Sequence, residues 1–456
     1  MYKKTLCFVL LSGIASVANA QRYMGVATGN YNAINSLYLN PANITGDNEK
    51  IVVNIGSGNV AVDNSLGTFT NLGNLGNSNE NAFTVTGNKP FNMLIPSLEL
   101  RLPGIMVSLK DKHKQSFALS TRIRAMNQFN NFDPSFYNTV TSSNNTANES
   151  YRLQSSNFNW TAHVWSEVGL TYALQVFESG PHQLKAGVTV RYLGGIDYLS
   201  LKGKYLDASY TAGSDTLFAN HSDLEFSSNA ISSNDVKSNG LKSSDVLGSM
   251  FGSKTGSGIG MDIGVVYTYN INATDQFGAI DDPDDFGHKI TISVSVIDVG
   301  AINYKEKDNF FVNVTGNGYL TGNGLSDHLQ NFTEFRNYVV TQGFTADTGS
   351  KATKLSMPTS MVLGADYKAY RRIFINATYI ANLANRQNYG NSFFNQLTLT
   401  PRYENRLVTV AMPVTFSSMA HDVKLGLGFR IAGFFFDRRR LEAFAISTLF
   451  PVVARP

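Results

Sequence analysis

Cysteine is almost missing. The single one, Cys7, stands near the start of a 456-residue chain, so disulfides, thiol catalysis and cysteine-ligated zinc are excluded for everything downstream. Charge is scarce as well: Asp, Glu, Lys and Arg make 16% of the residues, against roughly 25% in an ordinary soluble domain. The formal net charge is only +3, which gives no strong electrostatic preference for nucleic acid or acidic partners, whose binding needs clustered Lys and Arg. Beyond residue 21 no apolar run reaches the about 18 residues that a membrane-spanning helix needs. A helical membrane protein is therefore ruled out.

What the chain does have is 46 Asn and 39 Gly beside 30 Phe and 21 Tyr, a mixture suited to many turns and aromatic strands rather than long helices. The first twenty residues carry a different signal. Lys3 and Lys4 precede an apolar stretch from Leu6 to Ile14, and Ala18-Asn19-Ala20 makes an A-x-A cleavage site before Gln21, which together predict a secretory signal peptide at 1–20. Cys7 lies inside the apolar stretch and not at a cleavage point, which disfavours a lipoprotein anchor.

Period-two alternation recurs along the rest. Leu184, Ala186, Val188, Val190 and Tyr192 share one face, opposed to Lys185, Gly187, Thr189 and Arg191. Phe117, Leu119, Thr121 and Ile123 oppose Ser116, Ser120, Arg122 and Arg124; Ile259, Met261, Ile263 and Val265 oppose Gly260, Asp262 and Gly264. Val423, Leu425, Leu427 and Phe429 oppose Lys424, Gly426 and Arg430 in the same way. Strands are predicted at 50–62, 91–109, 116–127, 160–177, 184–198, 258–270, 288–300, 357–367, 372–381, 394–403, 407–417, 422–436 and 441–450. The segment 199–228, with Tyr205, Tyr210 and Leu217, has room for a further hairpin, and 441–444 has a helical alternative.

A soluble sandwich and a membrane barrel both use such strands. Loop lengths separate them. Tight polar connections fall near Asp111 to Lys114, Glu178 to Gln183, Lys368 to Arg371, Glu404 to Arg406 and Asp437 to Arg440. The tracts 63–89, 127–158, 199–257 and 301–356 are rich in Asn, Ser, Thr and Gly and read as long loops. Short turns on one rim and long loops on the other are the pattern of outer-membrane barrels, so the expected fold is all-β: an antiparallel transmembrane outer-membrane β-barrel of about 14 strands over 50–456.

Residues 21–49 lack alternation and carry Asn40-Pro41-Ala42, following Tyr38-Leu39. That segment looks like the N-terminal hatch of FadL-type long-chain fatty-acid transporters. From YLNPANI to GLGFRIAGFFF at 426–436 the chain is similar to a family of Bacteroidota outer-membrane barrels of uncharacterised function related to them, and more distantly to the type IX secretion barrel PorV. The resemblance implies a lumen occluded by a plug at 21–49, with Tyr31, Tyr38, Asn40, Pro41 and Ala42 as its candidate functional residues. On the residues alone, Asn40-Pro41-Ala42 equally well just turns the chain into its first strand. The segment is short for a full hatch, and no fatty-acid site carries over residue by residue.

With apolar faces outward, Glu99, Arg101, Arg122, Arg124, Glu167, Lys185, Arg191, Asp262, Asp366, Lys424 and Arg430 would face the lumen, where both signs of charge favour internal ion pairs over a ligand site. His163 and Trp165 point the same way as Glu167. The seven His show no ligand spacing, and neither a nucleophile elbow nor a phosphate loop occurs. Gly256, Gly258, Gly260 and Gly264 read as room on the lumen face rather than a nucleotide loop. Asp281, Asp282, Asp284 and Asp285 read as a solvated turn before a calcium site. No enzyme, cofactor or metal is implied. The expected role is a passive channel for hydrophobic small molecules in the outer membrane. The alternative is a non-catalytic structural or interaction barrel in surface protein assembly or secretion. Outer-membrane lipid, a hydrophobic small molecule and a surface or secretion protein are the partners these readings allow.

Overall fold

A computed structural model describes residues 27–31, 33–45, 50–69, 83–85, 89–109, 113–135, 150–211, 216–229, 248, 250, 255–270, 288–306, 309–321, 324, 328, 332–349, 351–385, 390–405, 408–418, 423–431, 435–436, 439–442 and 445–451. The expected leader at 1–20 and the acidic run Asp281 to Asp285 lie outside them. Two short helical turns come first: α1 (Ala33–Ser36) and a 3-10 turn, Pro41–Ile44. Asn40 caps the second by accepting from the Ala42 N–H at 2.9 Å, and Pro41 occupies the first helical position, where no donor is needed.

Strands follow. β1 (Ile51–Asn54) and β2 (Ser57–Asn64) form one interrupted run, β3 (Gly67–Phe69) and β4 (Phe83–Val85) pair by themselves, and β5 (Phe91–Arg101) and β6 (Gly104–Ser108) form a second interrupted run. β7 (Ser116–Phe132), β8 (Tyr151–Ser179), β9 (His182–Tyr210), β10 (Thr216–Ser228), β11 (Gly256–Asn270), β12 (His288–Tyr304) and β13 (Phe310–Thr321) are long. After α2 (Phe332–Thr341) come β14 (Thr345–Gly349), β15 (Thr353–Ser356), β16 (Ser360–Tyr370), β17 (Ile373–Asn382) and β18 (Gln396–Glu404). The chain ends in β19 (Val408–Ala411), β20 (Val414–Ser417), β21 (Lys424–Ile431), β22 (Phe435–Phe436), β23 (Arg439–Glu442) and β24 (Ala445–Pro451).

The fold is all-β, and 22 of these strands belong to one sheet. Its ladder runs without a gap from β1 and β2 through β5 and β6, β7, β8, β9, β11, β12, β16, β17, β18, β19 and β20, and β21 to β24, antiparallel at every step. The upper half of β9 leaves this ladder to pair with β10, which pairs with β13, which pairs with β14.

The strand count exceeds the expected fourteen for two physical reasons. Leu102-Pro103 and Met412-Pro413 break predicted single strands in two, because proline has no N–H to give the ladder. The tracts at 127–158, 199–257 and 301–356, expected as loops, carry strand well past the predicted ends: β8 and β9 each run 29 residues, and β10, β13 and β14 are additional. The hairpin with room in 199–228 is the upper end of β9 with β10; of the segment 441–444, which has a helical alternative, 441–442 is strand and 443–444 lie outside the described residues.

The burial pattern has two regimes. In the lower part of the sheet, nearest the 179–182 turn, charged and hydroxyl side chains are covered and aliphatic ones are bare: Arg124 and Glu167 are 2% exposed, whereas Leu170 is 66%, Ile263 55% and Ile259 72% exposed. In the upper part the same strands reverse. Leu153, Phe158, Leu206, Ala208, Leu217 and Phe226 are buried there, while Arg152, Gln154, Lys204 and Asn220 are exposed. α2 packs Phe335 and Val339 onto this upper apolar core, with Phe335 edge-on to Phe226 at 4.7 Å.

Candidate functional site

The lower covered face assembles a layer of eight charged side chains from six strands. Arg122 on β7 reaches Glu167 on β8 (2.6 Å), Asp298 on β12 (2.6 Å) and Glu99 on β5 (3.5 Å). Arg124 meets Asp298 at 3.1 Å and Glu167 at 3.4 Å, and Arg101 meets Glu99 at 2.8 Å. Arg191 on β9 pairs with Asp262 on β11 and approaches Glu167 at 3.4 Å. Four guanidinium groups thus face four carboxylates, which balances the charge within the layer. Glu167 also accepts from the Trp165 indole at 2.8 Å, and His163 stacks on Trp165 and shares a hydrogen bond with the Tyr304 hydroxyl at 3.1 Å.

Asp298 escaped the sequence reading, and the reason is geometric. Ile290, Ile292 and Val294 are exposed, so simple alternation sends Asp298 outward with them. Instead the ladder with β11 slips between Met261 and Ile263, opposite a residue in the left-handed region, Asp298 at φ +57°. This bulge turns Asp298 inward and moves Val299 out, and Asp262 fixes it by accepting from the Asp298 N–H at 2.8 Å.

A second group lies across the sheet. Arg402 on β18 forms a bidentate pair with Asp366 on β16 (2.6 and 2.8 Å) and meets Glu404 at 2.9 Å. Lys424 on β21 bridges to Asp63 on β2 at 3.2 Å. Arg430 donates to the Asn405 carbonyl (2.8 Å) and to Thr409 (3.0 Å). Of the eleven expected interior residues, ten are buried. Lys185 is the departure: it is only partly buried, near the start of β9 where the short turn begins. Arg402 lies inside the predicted strand 394–403 and is an interior residue the sequence reading does not name, and Glu404 falls in the predicted turn, although their spacing of two puts them on one face of β18.

Residues 27–31 and 33–45 lie on this same covered face and touch strands around it. Glu404 accepts from the N–H groups of Asn30 (2.7 Å) and Tyr31 (3.3 Å), and Arg430 lies over the Tyr31 ring at 5.1 Å. The Tyr38 ring is flanked by the guanidinium groups of Arg101 (4.2 Å) and Arg122 (4.8 Å), a cation–π arrangement inside the ionic layer. Arg101 donates to the Asn35 carbonyl at 3.1 Å. Asn40 donates to the backbone carbonyls of Val265 and Val294 at 3.0 and 3.2 Å, and Ser295 donates to the Leu39 carbonyl. Pro41 and Ala42 press against β9 so closely that a Cβ at Gly187 would fall 2.6 Å from their backbone, and one at Gly264 would collide with the Asn40 side-chain oxygen. All five residues named from the segment, Tyr31, Tyr38, Asn40, Pro41 and Ala42, are buried there. The segment therefore does more than turn the chain into β1.

Above the ionic layer sits an apolar one of Leu94, Met126, Trp165, Leu193, Tyr198, Ile302, Tyr304 and Phe394, and above that the larger apolar core of the upper sheet. Among the described residues no group of three or more His, Cys, Asp or Glu is placed to hold a metal ion. No curated protein and no solved structure matches the chain. One family does. Residues 41–436 match DUF5723, a family of unknown function, and the chain belongs to it.

Proposed function

We propose that the chain is an outer-membrane β-barrel, its lower half in lipid, that serves as a passive conduit for hydrophobic small molecules and holds its N-terminal segment as a plug. The membrane part rests on the inverted burial of the lower strands. Aliphatic side chains of β7, β8, β11, β12, β16, β17, β18 and β21 face outward over a charged interior, the reverse of a water-soluble sheet. On β11 this apolar face runs from Ile259 to Tyr269, roughly 33 Å of strand. At the usual tilt that is about 25 Å of height, the thickness of an outer-membrane apolar band. Exposed Tyr367, Tyr370 and Tyr403 stand at the short-turn rim, where aromatic girdles sit. Closure is favoured by the Lys424 to Asp63 pair, which links the late strand β21 to the early strand β2, and by β24 lying beside β2. Among the described residues no helix is long and apolar enough to cross a membrane.

A direct test of the lipid-facing surface is Leu170→Arg. A cation at the midplane of the band costs about 2–4 kcal/mol, so the variant is expected to unfold at lower urea in phospholipid vesicles. Gln154→Arg on the upper, water-facing part of the same strand is expected to be neutral. Equal effects at the two sites would remove the membrane reading.

The observation that carries the conduit is the stacking of covered layers: an apolar upper core lies above an ionic layer that the N-terminal segment packs against. A greasy solute is favoured in the first and stopped at the second. Liposome flux of a fluorescent fatty acid tests it, with wild type and with Tyr38→Ala/Glu404→Gln, which loosens the segment at both anchors. Flux is expected to rise several-fold in the variant, and absence of flux from both proteins would overturn the conduit. The second reading, a non-catalytic scaffold in surface assembly or secretion, is favoured by the charge-balanced ionic layer and by the strands that stand clear of the apolar band. Crosslinking in intact membranes distinguishes it, since a scaffold gives a discrete partner and a conduit runs alone.

A further inference from the structure

The outer face of the upper sheet carries aromatic rings that neither the interior nor the lipid band explains. Phe218 on β10 and Tyr319 on β13 are cross-strand partners with ring centroids 4.8 Å apart, and Tyr319 is 52% exposed. Lower on the same face Tyr205 on β9 lies 5.5 Å from the exposed ring of His221 on β10. Both pairs oppose the apolar core, because their neighbours Leu206, Leu217 and Leu320 are the ones that point inward. They are also too high for an interfacial girdle. Tyr192, opposite Ile259, marks the top of the apolar band, and Tyr205 lies roughly 40 Å further along β9, about 30 Å in height at the usual tilt.

We infer that this face is a binding platform for neutral saccharide chains, each aromatic pair seating one sugar ring. An aromatic face is electron-rich and takes the apolar C–H face of a pyranose, while the equatorial hydroxyls need hydrogen-bond partners at the rim. Those partners are present between the pairs: exposed Asn220 donates to Ser209 at 3.1 Å and also hydrogen-bonds Asp207, and its amide oxygen is the acceptor for a sugar hydroxyl. The pairs stand about 10 Å apart, the rise of three strand residues from Phe218 to His221, and so address rings separated along one chain. Charge on the face is already matched. Arg152 binds Asp207 at 2.6 Å and Lys204 binds Asp223 at 3.3 Å, and the Arg152 hydrogen bonds hold the Asp207 carboxyl below its usual range. This pairing disfavours phosphate and other anions. Separation of the rings by polar groups disfavours a protein partner, whose interface has a contiguous apolar core over some 800 Å² per side. The platform does not depend on solute passage through the barrel.

The test uses the full chain in an amine-oxide detergent, which carries no sugar headgroup, with neutral gluco-, galacto- and manno-hexaose as probes. Saturation-transfer NMR is expected to show transfer to the ring C–H protons of at least one of them. Phe218→Ala/Tyr319→Ala, confirmed folded by heat-modifiable electrophoretic migration, is expected to lower that transfer at least tenfold, and Lys204→Ala to leave it unchanged. Should the double variant fail to fold, Tyr205→Ala replaces it with the same criterion. No transfer to any hexaose, or transfer undiminished in the aromatic variants, overturns the proposal.

Discussion

Replacing Arg122 by methionine is expected to destabilise the protein more than any exposed substitution. The guanidinium is almost wholly covered and satisfies Glu167, Asp298 and, at longer range, Glu99. Methionine keeps much of the packing volume and removes the charge, which leaves buried carboxylates without their counter-ion at a cost of about 3–5 kcal/mol. The urea midpoint of refolding into vesicles measures it. Adding Glu167→Gln to Arg122→Met is expected to recover part of the loss, since neutralising one stranded carboxylate removes part of the penalty. The charge balance of four against four then makes the double variant more stable than the single one. If Arg122→Met were as stable as wild type, the layer would be hydrated enough to screen its charges, and its ion pairs would contribute nothing to holding the strands together.

Gly187→Val is the second large effect, and it acts on the N-terminal segment rather than on the sheet. The backbone of Pro41 and Ala42 occupies the space where a Cβ would sit. A rigid backbone cannot yield as a flexible side chain does, whereas valine itself is well suited to a strand. The ladder of β9 with β8 and β11 is therefore expected to persist while the segment leaves its seat. Hydrogen exchange reads this directly: amides of residues 34–44 are expected to lose at least a hundredfold of protection, and those of 184–192 to keep theirs. The hydrogen bonds from Asn40 to Val265 and Val294 and from Asn30 and Tyr31 to Glu404 would be lost together. Loss of protection in both regions would mean instead that the segment is needed to hold the sheet.

Much of the lower sheet was legible because alternation is a local property. The faces of 116–124, 184–192 and 259–265 follow from the period of two, and burial in the structure separates Arg122, Arg191 and Asp262 from Phe117, Val190 and Ile263 as that period requires. Three features were not legible. The bulge at Asp298 changes parity in mid-strand, and nothing in Val296-Ile297-Asp298-Val299 announces it. The strand β13 falls in the Asn- and Gly-rich tract 301–356 that reads as a loop, and pairing with β10 and β14 forms it where propensity does not, while β10 shows in the sequence only as room for a hairpin within 199–228. The seating of residues 27–45 depends on Gly187 and Gly264 being opposite them in space, a relation of over a hundred residues along the chain.

The length of β8 and β9 has its own consequence for assembly. Each of these strands presents charge to a sheltered interior at one end and leucine and phenylalanine to a sheltered interior at the other, so one continuous backbone is read by two surroundings of opposite preference. Slipping β9 by a single residue would push Arg191 onto the outward aliphatic face beside Val190 and, at the far end, expel Leu206 from the upper core. Each end thus proofreads the other, and the upper apolar core can set the alignment that the charged layer of the lower strands requires.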